Sequence, residues 1–260
     1  MVRLLRIFGI LFSLSLRRHV AFRADLVFAL MLTAINLFAT LTALAMVFSR
    51  TSSLSGWSAD QAVTLVGTFQ IVSGLREAFV EPSLRWLGKQ VQEGEFDALL
   101  TQPAPAVFLT SFSSCAPLAL TQTVLGAGVV GYGLARQHGM TPARIIAWAV
   151  LVLCGAVIMW AVRALLAAVV FWALNFDLDI VYDGLWRFAG YPISIYRRPL
   201  RLFLTYVIPL AVVSTLPASV ATRSASLAAV PVGAGAAVLL CLLTVTVWHL
   251  GVARYTSATS

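Results

Sequence analysis

The chain has 260 residues, is 60% hydrophobic and only 11% charged, and carries eighteen Lys and Arg residues against ten Asp and Glu, a net charge of +8. A soluble domain carries about 25% charged residues, so most of this chain must be counted as membrane spans and little is left for a soluble catalytic domain. The basic residues are nearly all arginines at the ends of apolar runs, which suits lipid headgroups and cytoplasmic loops rather than a nucleic-acid-reading face.

The first stretch, 1–24, alternates arginines (Arg3, Arg6, Arg17, Arg18) with Leu4, Leu5, Ile7, Phe8, Leu11 and Phe12. Arg17, Arg18 and Arg23 stand where the small residues of a cleavage site would be expected in a signal peptide. An interfacial helix on the cytoplasmic leaflet is the expectation.

About 20 apolar residues cross a hydrocarbon core. Six segments pass or nearly pass that test: 26–48, 61–80, 107–134, 145–174, 202–220 and 230–252. The spacing therefore predicts an all-α membrane protein with six transmembrane helices. With both termini inside, thirteen Lys and Arg residues fall on the inner side and four, Arg50, Arg136, Arg144 and Arg223, on the outer side. Both termini are thus predicted to be cytoplasmic. The two largest inner loops, 81–105 and 175–201, hold seven of the ten acidic residues.

The first span contains Asn36 and the second Gln70, polar groups suited to cross-linking helices or to lining a path. Between the second and third spans lies Gln92-Glu93-Gly94-Glu95-Phe96-Asp97-Ala98-Leu99-Leu100-Thr101-Gln102-Pro103. Pro82 suits a helix start, and Pro103 and Pro105 end helical structure before re-entry. Phe96, Leu99 and Leu100 are expected to form an apolar ridge edged by Glu93, Glu95 and Asp97, the form of a docking helix whose burial gives affinity and whose charged rim gives orientation. Lipid headgroups are a poorer partner, because anionic lipid would repel the acids.

The third span contains a literal GxGxxG, Gly126 to Gly131, flanked by apolar span on both sides and followed by no acid at the required distance. Gly126, Ala127 and Gly133 read instead as small residues that let helices approach closely. In the fourth span, Arg163 places a permanent charge well inside an apolar run, at a cost of at least ~2.5 kcal/mol unless it snorkels, pairs or faces water. Two accounts stand: a structural ion pair or headgroup contact, and a substrate or gating contact. Pro209 would kink or break the fifth span, making either a hinge or a packing feature.

No metal or catalytic site emerges. Cys115, Cys154 and Cys241 are dispersed, and His19, His138 and His249 lack partners at ligand or triad spacing. The pairs Asp177/Asp179 and Glu93/Asp97 come without a nucleophile. No GxxxxGK[ST] phosphate loop is present, so neither ATP nor Mg is expected to bind this chain as a cofactor.

Taken together, the segment GEFDALLTQP (94–103) and the later YPISIYRRPLRLFLTYVIPLAVVSTLPA (191–218) resemble the ABC-2 transporter permeases. Gly94, Phe96, Asp97, Leu100 and Pro103 match one motif, and Tyr191, Pro192, Pro209, Pro217 and Ala218 match the other. The resemblance implies six spans, an N-terminal interfacial helix, and a coupling helix that docks on a separate ATP-binding-cassette ATPase, where ATP and Mg bind. A second permease chain, exporter activity and a bacterial plasma membrane are also implied. The few polar groups suit an apolar or amphipathic cargo. A membrane scaffold recruiting a cytosolic partner through the acidic loop is the alternative; a channel or carrier, which needs several mid-span polar groups, ranks last.

Overall fold

The computed structural model describes residues 6, 8–10, 12–15, 23–137, 141–173 and 178–255. They form helices with no strand, and an isolated bridge joins Leu54 to Trp57. The helices are α1 Arg23–Arg50, α2 Ala59–Phe79, α3 Glu81–Leu84, α4 Leu87–Gln92, α5 Phe96–Leu100, α6 Ala106–Phe112, α7 Leu120–Ala135, α8 Pro142–Ala168, α9 Asp179–Ala189, α10 Arg198–Leu202, α11 Thr215–Ala221 and α12 Ala229–Arg254. The bundle has two ends. The motif end holds residues 93–103, Phe79 and Phe171; the far end holds the 51–58 loop, Arg144 and Ala221.

Ser58 begins α2 with a capping box, its hydroxyl accepting from the Gln61 N–H while the Gln61 side chain accepts from the Ser58 N–H. Its 21 residues rise ~31 Å, enough to cross a hydrocarbon core. α2 packs along α7 through glycines. A Cβ on Gly67 would lie 2.8 Å from the Gly126 carbonyl oxygen, and one on Gly133 would meet Thr64. Within the literal GxGxxG, Gly126 faces this contact, whereas Gly128 and Gly131 have nothing within 4 Å of an added Cβ. The sequence is thus used for helix packing. On the opposite flank α8 packs along α12, with Gly233 and Gly251 of α12 admitting Leu151 and Phe171, while Gly155 of α8 admits Val212 and Val213 of the segment preceding α12. α1 stands apart: among its described side chains Leu37 alone is buried, and an apolar surface from Leu26 to Val47 remains exposed.

Four helices are long and apolar enough to cross a membrane, and up to six crossings result if bent pairs count. The fifth crossing departs from expectation. Asp179 lies at the motif end, 2.8 Å from Arg163. From there α9 runs along α2, with the Trp186 indole donating to Ser73 and Gly190 meeting Phe69. The Ser194 hydroxyl then donates to the Ser55 carbonyl in the far-end loop, at 3.5 Å. Residues 179–194 therefore run along α2 from the motif end past Phe69 to the 51–58 loop, first as α9 and then through a turn into a 3-10 helix at Ile193–Ile195, so 178–201 is not the motif-end loop expected from the sequence.

The segment 202–220, expected to cross, instead enters and leaves at the far end. It descends through α10 and a π-helical turn (Phe203–Val207), bends by 78° at Ile208–Pro209, and rests Val212 and Val213 against Gly155 midway along α8. It then climbs through α11, where the Arg144 guanidinium donates to the Val220 and Ala225 carbonyls at 2.8 and 3.2 Å. Pro209 is the apex of this hairpin, where its missing N–H and fixed φ suit a chain reversal. The hairpin also moves Arg197, Arg198 and Arg201 from the motif end, where the sequence put them, to the far end. A hydropathy window misplaced the crossing because α9 is amphipathic and the hairpin is apolar.

The expected interfacial helix lies largely outside the described residues. Within them, the Phe8 and Phe12 rings lie tilted against Phe79 at the motif end, with ring centroids 5.7 and 5.9 Å away.

Candidate functional site

The motif segment is built by backbone geometry first. Gly94 follows α4 with φ +76°, the left-handed conformation that ends helices and suits glycine. That reversal turns Phe96 inward. Phe96 is 0% exposed and packs on Phe171 and Tyr255, each at 5.3 Å, and Phe171 in turn stacks edge-on against Trp248. The expectation that Phe96 forms an outward ridge is therefore corrected: burying its ring with the aromatic residues at the ends of α8 and α12 removes far more apolar surface from water than display would. Leu100, 39% exposed, remains on the surface with Glu93, Glu95 and Pro103, and Gly94 and Asp97 are half-buried. Trp86, 56% exposed, stands nearby with the Lys89 ammonium 5.9 Å above its ring, on the rim of a cleft of about 440 Å³ between α3–α4 and α8.

Where the motif segment leaves α2, an ion cluster ties it to the bundle. Arg163 is 1% exposed, its Nη2 2.8 Å from Asp179 and its Nε 3.4 Å from Glu81. Arg76, also buried, meets Glu77 at 2.5 Å, Asp183 at 3.4 Å and Glu81 at 3.8 Å. Arg85 reaches Glu81, Asp179 and Asp183 from the more exposed side. The buried Tyr182 ring lies between the two buried guanidiniums, 5.3 Å from Arg76 and 5.2 Å from Arg163. Three arginines and four carboxylates thus compensate one another in a poorly solvated space, with Glu81 shared by all three arginines. Arg163 sits near the motif end of α8, buried and ion-paired to Glu81 and Asp179, which offsets the cost of a charge in an apolar run.

A cavity of about 890 Å³ runs along α1, α2 and α9 from Arg76 and Glu77 at the motif end to Leu54, Tyr191 and Pro192 at the far end. Asn36 and Gln70 both line it. The Asn36 amide donates to the Leu32 carbonyl of its own helix, while Gln70 accepts from the Gln122 amide at 2.8 Å and so also cross-links α2 and α7. Neither Arg163 nor Pro209 lines this cavity. The size suits a drug-sized or lipid-like molecule, and the wall is mostly apolar with a few convergent polar groups.

Sequence reasoning missed Arg76, Glu81, Tyr182 and Trp186. A signal existed: Tyr182, Trp186 and Ala189 recur at helical spacing inside a segment taken for a loop, and all three are buried. Among the described residues no group of three or more His, Cys, Asp or Glu side chains is arranged to hold a metal ion.

No curated protein and no solved structure matches the chain. A family model described as ABC-2 family transporter protein matches residues 34–259, from within α1 past the end of α12. The match takes in the motif segment, the ion cluster, the cavity and the far-end hairpin, and the chain belongs to the ABC-2 family as an integral membrane permease component of an ABC transporter, without an ATP site of its own.

Proposed function

We propose that this permease is the membrane subunit of an ATP-driven exporter and that residues 84–103 receive the work of a separate ATPase. In this reading the partner binds ATP and Mg and docks on the motif end. Leu100 and Trp86 supply the apolar contact, Glu93 and Glu95 the orienting rim, and Pro103 the stop that holds the segment short. Phe96 acts from behind as the pin that fastens the segment to α8 and α12. The Glu81 cluster is the second fastening, to α8 and α9. A push on the docking surface then moves three long elements together, because both joints are rigid and buried.

The single observation that carries this reading is the pairing, within residues 93–100, of exposed Glu93, Glu95 and Leu100 with a fully buried Phe96. A recruitment scaffold needs the exposed half alone. Two such chains, identical or related, with two ATPases beneath them, complete the transporter; both termini lie on the cytoplasmic side of a bacterial plasma membrane. The lengthwise cavity is the path for an apolar or amphipathic cargo moving outward.

Leu100→Asp tests the docking surface. The variant is expected to insert and fold normally and to lose co-purification with the ATPase. Unchanged association and unchanged ATP-dependent transport would refute the docking role.

A further inference from the structure

Arg187 is the informative residue in the cavity. It lies on α9 between Trp186, whose indole reaches Ser73, and Gly190, which meets Phe69, the central residue of the 21-residue α2. Arg187 is therefore level with the middle of the bundle, lines the cavity and is exposed to it. A charge at that depth is expensive and by default marks a functional site.

Its neighbours do not neutralise it. Asp183, one turn earlier, is engaged by Arg76 and Arg85, and Glu77 by Arg76. Among the described residues no carboxylate lies within ion-pair distance of Arg187. The rest of the nearby wall is apolar or neutral: Phe69, Val66, Leu44 and Trp186, with the amides of Asn36 and Gln70. At the far mouth, Pro192 is followed within nine residues by Arg197, Arg198 and Arg201, all exposed and with no ion pair among the described residues, on the side that the positive-inside bias normally depletes. The cavity thus joins a neutralised motif end to one unpaired cation at mid-depth, and the chain that follows its far mouth carries three more.

From this arrangement we infer that the cargo is an amphiphile with an anionic head, a phosphate or carboxylate, whose head pairs with Arg187 while its chain lies along α1 and α2. The guanidinium fork matches such oxyanions two-pronged, and the apolar wall accepts the chain. The inference rests on the cavity being the transport path. It does not depend on the ATPase, so its test is independent of the docking test.

The full-length permease, purified with the subunits that accompany it and placed in phosphatidylcholine nanodiscs, is titrated with dodecyl phosphate, dodecyl maltoside and inorganic phosphate. Dodecyl phosphate is expected to bind about tenfold or more tighter than dodecyl maltoside, and inorganic phosphate to compete poorly. Arg187→Gln is expected to erase that preference with the fold intact, and Arg187→Lys to keep part of it. The inference is overturned if Arg187→Gln keeps the preference, or if inorganic phosphate competes as well as dodecyl phosphate, which would mark a simple anion site. It is also overturned if Arg187→Gln alters only the oligomeric state, which would assign Arg187 to a carboxylate of a second copy.

Discussion

Arg163 and Arg187 are both arginines within apolar surroundings, and they play opposite parts. Arg163 lies near the motif end of α8, almost wholly buried, with two carboxylates and a tyrosine ring around it. Arg187 lies at mid-depth on α9, exposed to the cavity, with no carboxylate within ion-pair distance among the described residues. Burial with partners marks a charge that builds the fold, whereas exposure to a cavity without them marks a charge kept for something that arrives. Position within an apolar run says little by itself, because depth depends on which segments cross.

The sharpest way to break the contrast is Arg163→Met. It leaves Glu81 and Asp179 short of a counter-charge in a poorly solvated space, and a loss of ~3–5 kcal/mol is expected, read as a large fall in thermal unfolding temperature or in yield of inserted protein. Glu81→Gln added to that variant should restore part of the loss. Tyr182→Leu removes the ring between the two guanidiniums and should cost ~2 kcal/mol in the same unfolding assay. Glu77→Gln touches a pair whose acid is 43% exposed, so a change of ~1 kcal/mol or less is expected. Arg187→Gln should shift stability by no more than ~0.5 kcal/mol while changing cargo preference. A large loss of stability from Arg187→Gln, or a small one from Arg163→Met, would erase the distinction.

Much of the architecture was legible because it depends on composition. Long apolar runs give helices in lipid whatever their neighbours, so α1, α8 and α12 fall where hydropathy puts them, whereas the expected third span, 107–134, is broken into α6 and α7 and α2 passes a hydropathy test only together with the helical segment 81–92. The motif segment was legible through Gly94 and its prolines, and the small-residue reading of Gly126 and Gly133 holds in the α2–α7 contact. The side on which Phe96 packs was not legible. A five-residue helix edged by acids displays its phenylalanine or buries it depending on whether an aromatic cavity stands behind, and Phe171, Tyr255 and Trp248 are 75 or more residues away in the chain. The fifth crossing was illegible for a related reason. Residues 179–194 carry Asp179, Asp183 and Arg187, charges that a hydropathy window rejects. The carboxylates are answered by arginines from α2, from the residue after α3 and from α8 that only the fold brings close. Arg76 and Glu81 flank the end of α2 and read in sequence as ordinary loop charges.

The account rests on residues 179–194 running from the motif end to the far-end loop, since this puts Arg187 at mid-depth and separates the docking surface from the chain that follows Ser194. The most direct test is labelling with a membrane-impermeant maleimide in intact cells, using single cysteines at Thr101 and Ser194 in a background lacking Cys115, Cys154 and Cys241. The account predicts that Ser194→Cys reacts from outside and that Thr101→Cys reacts only after permeabilisation. Reaction of both positions from the same side would contradict it.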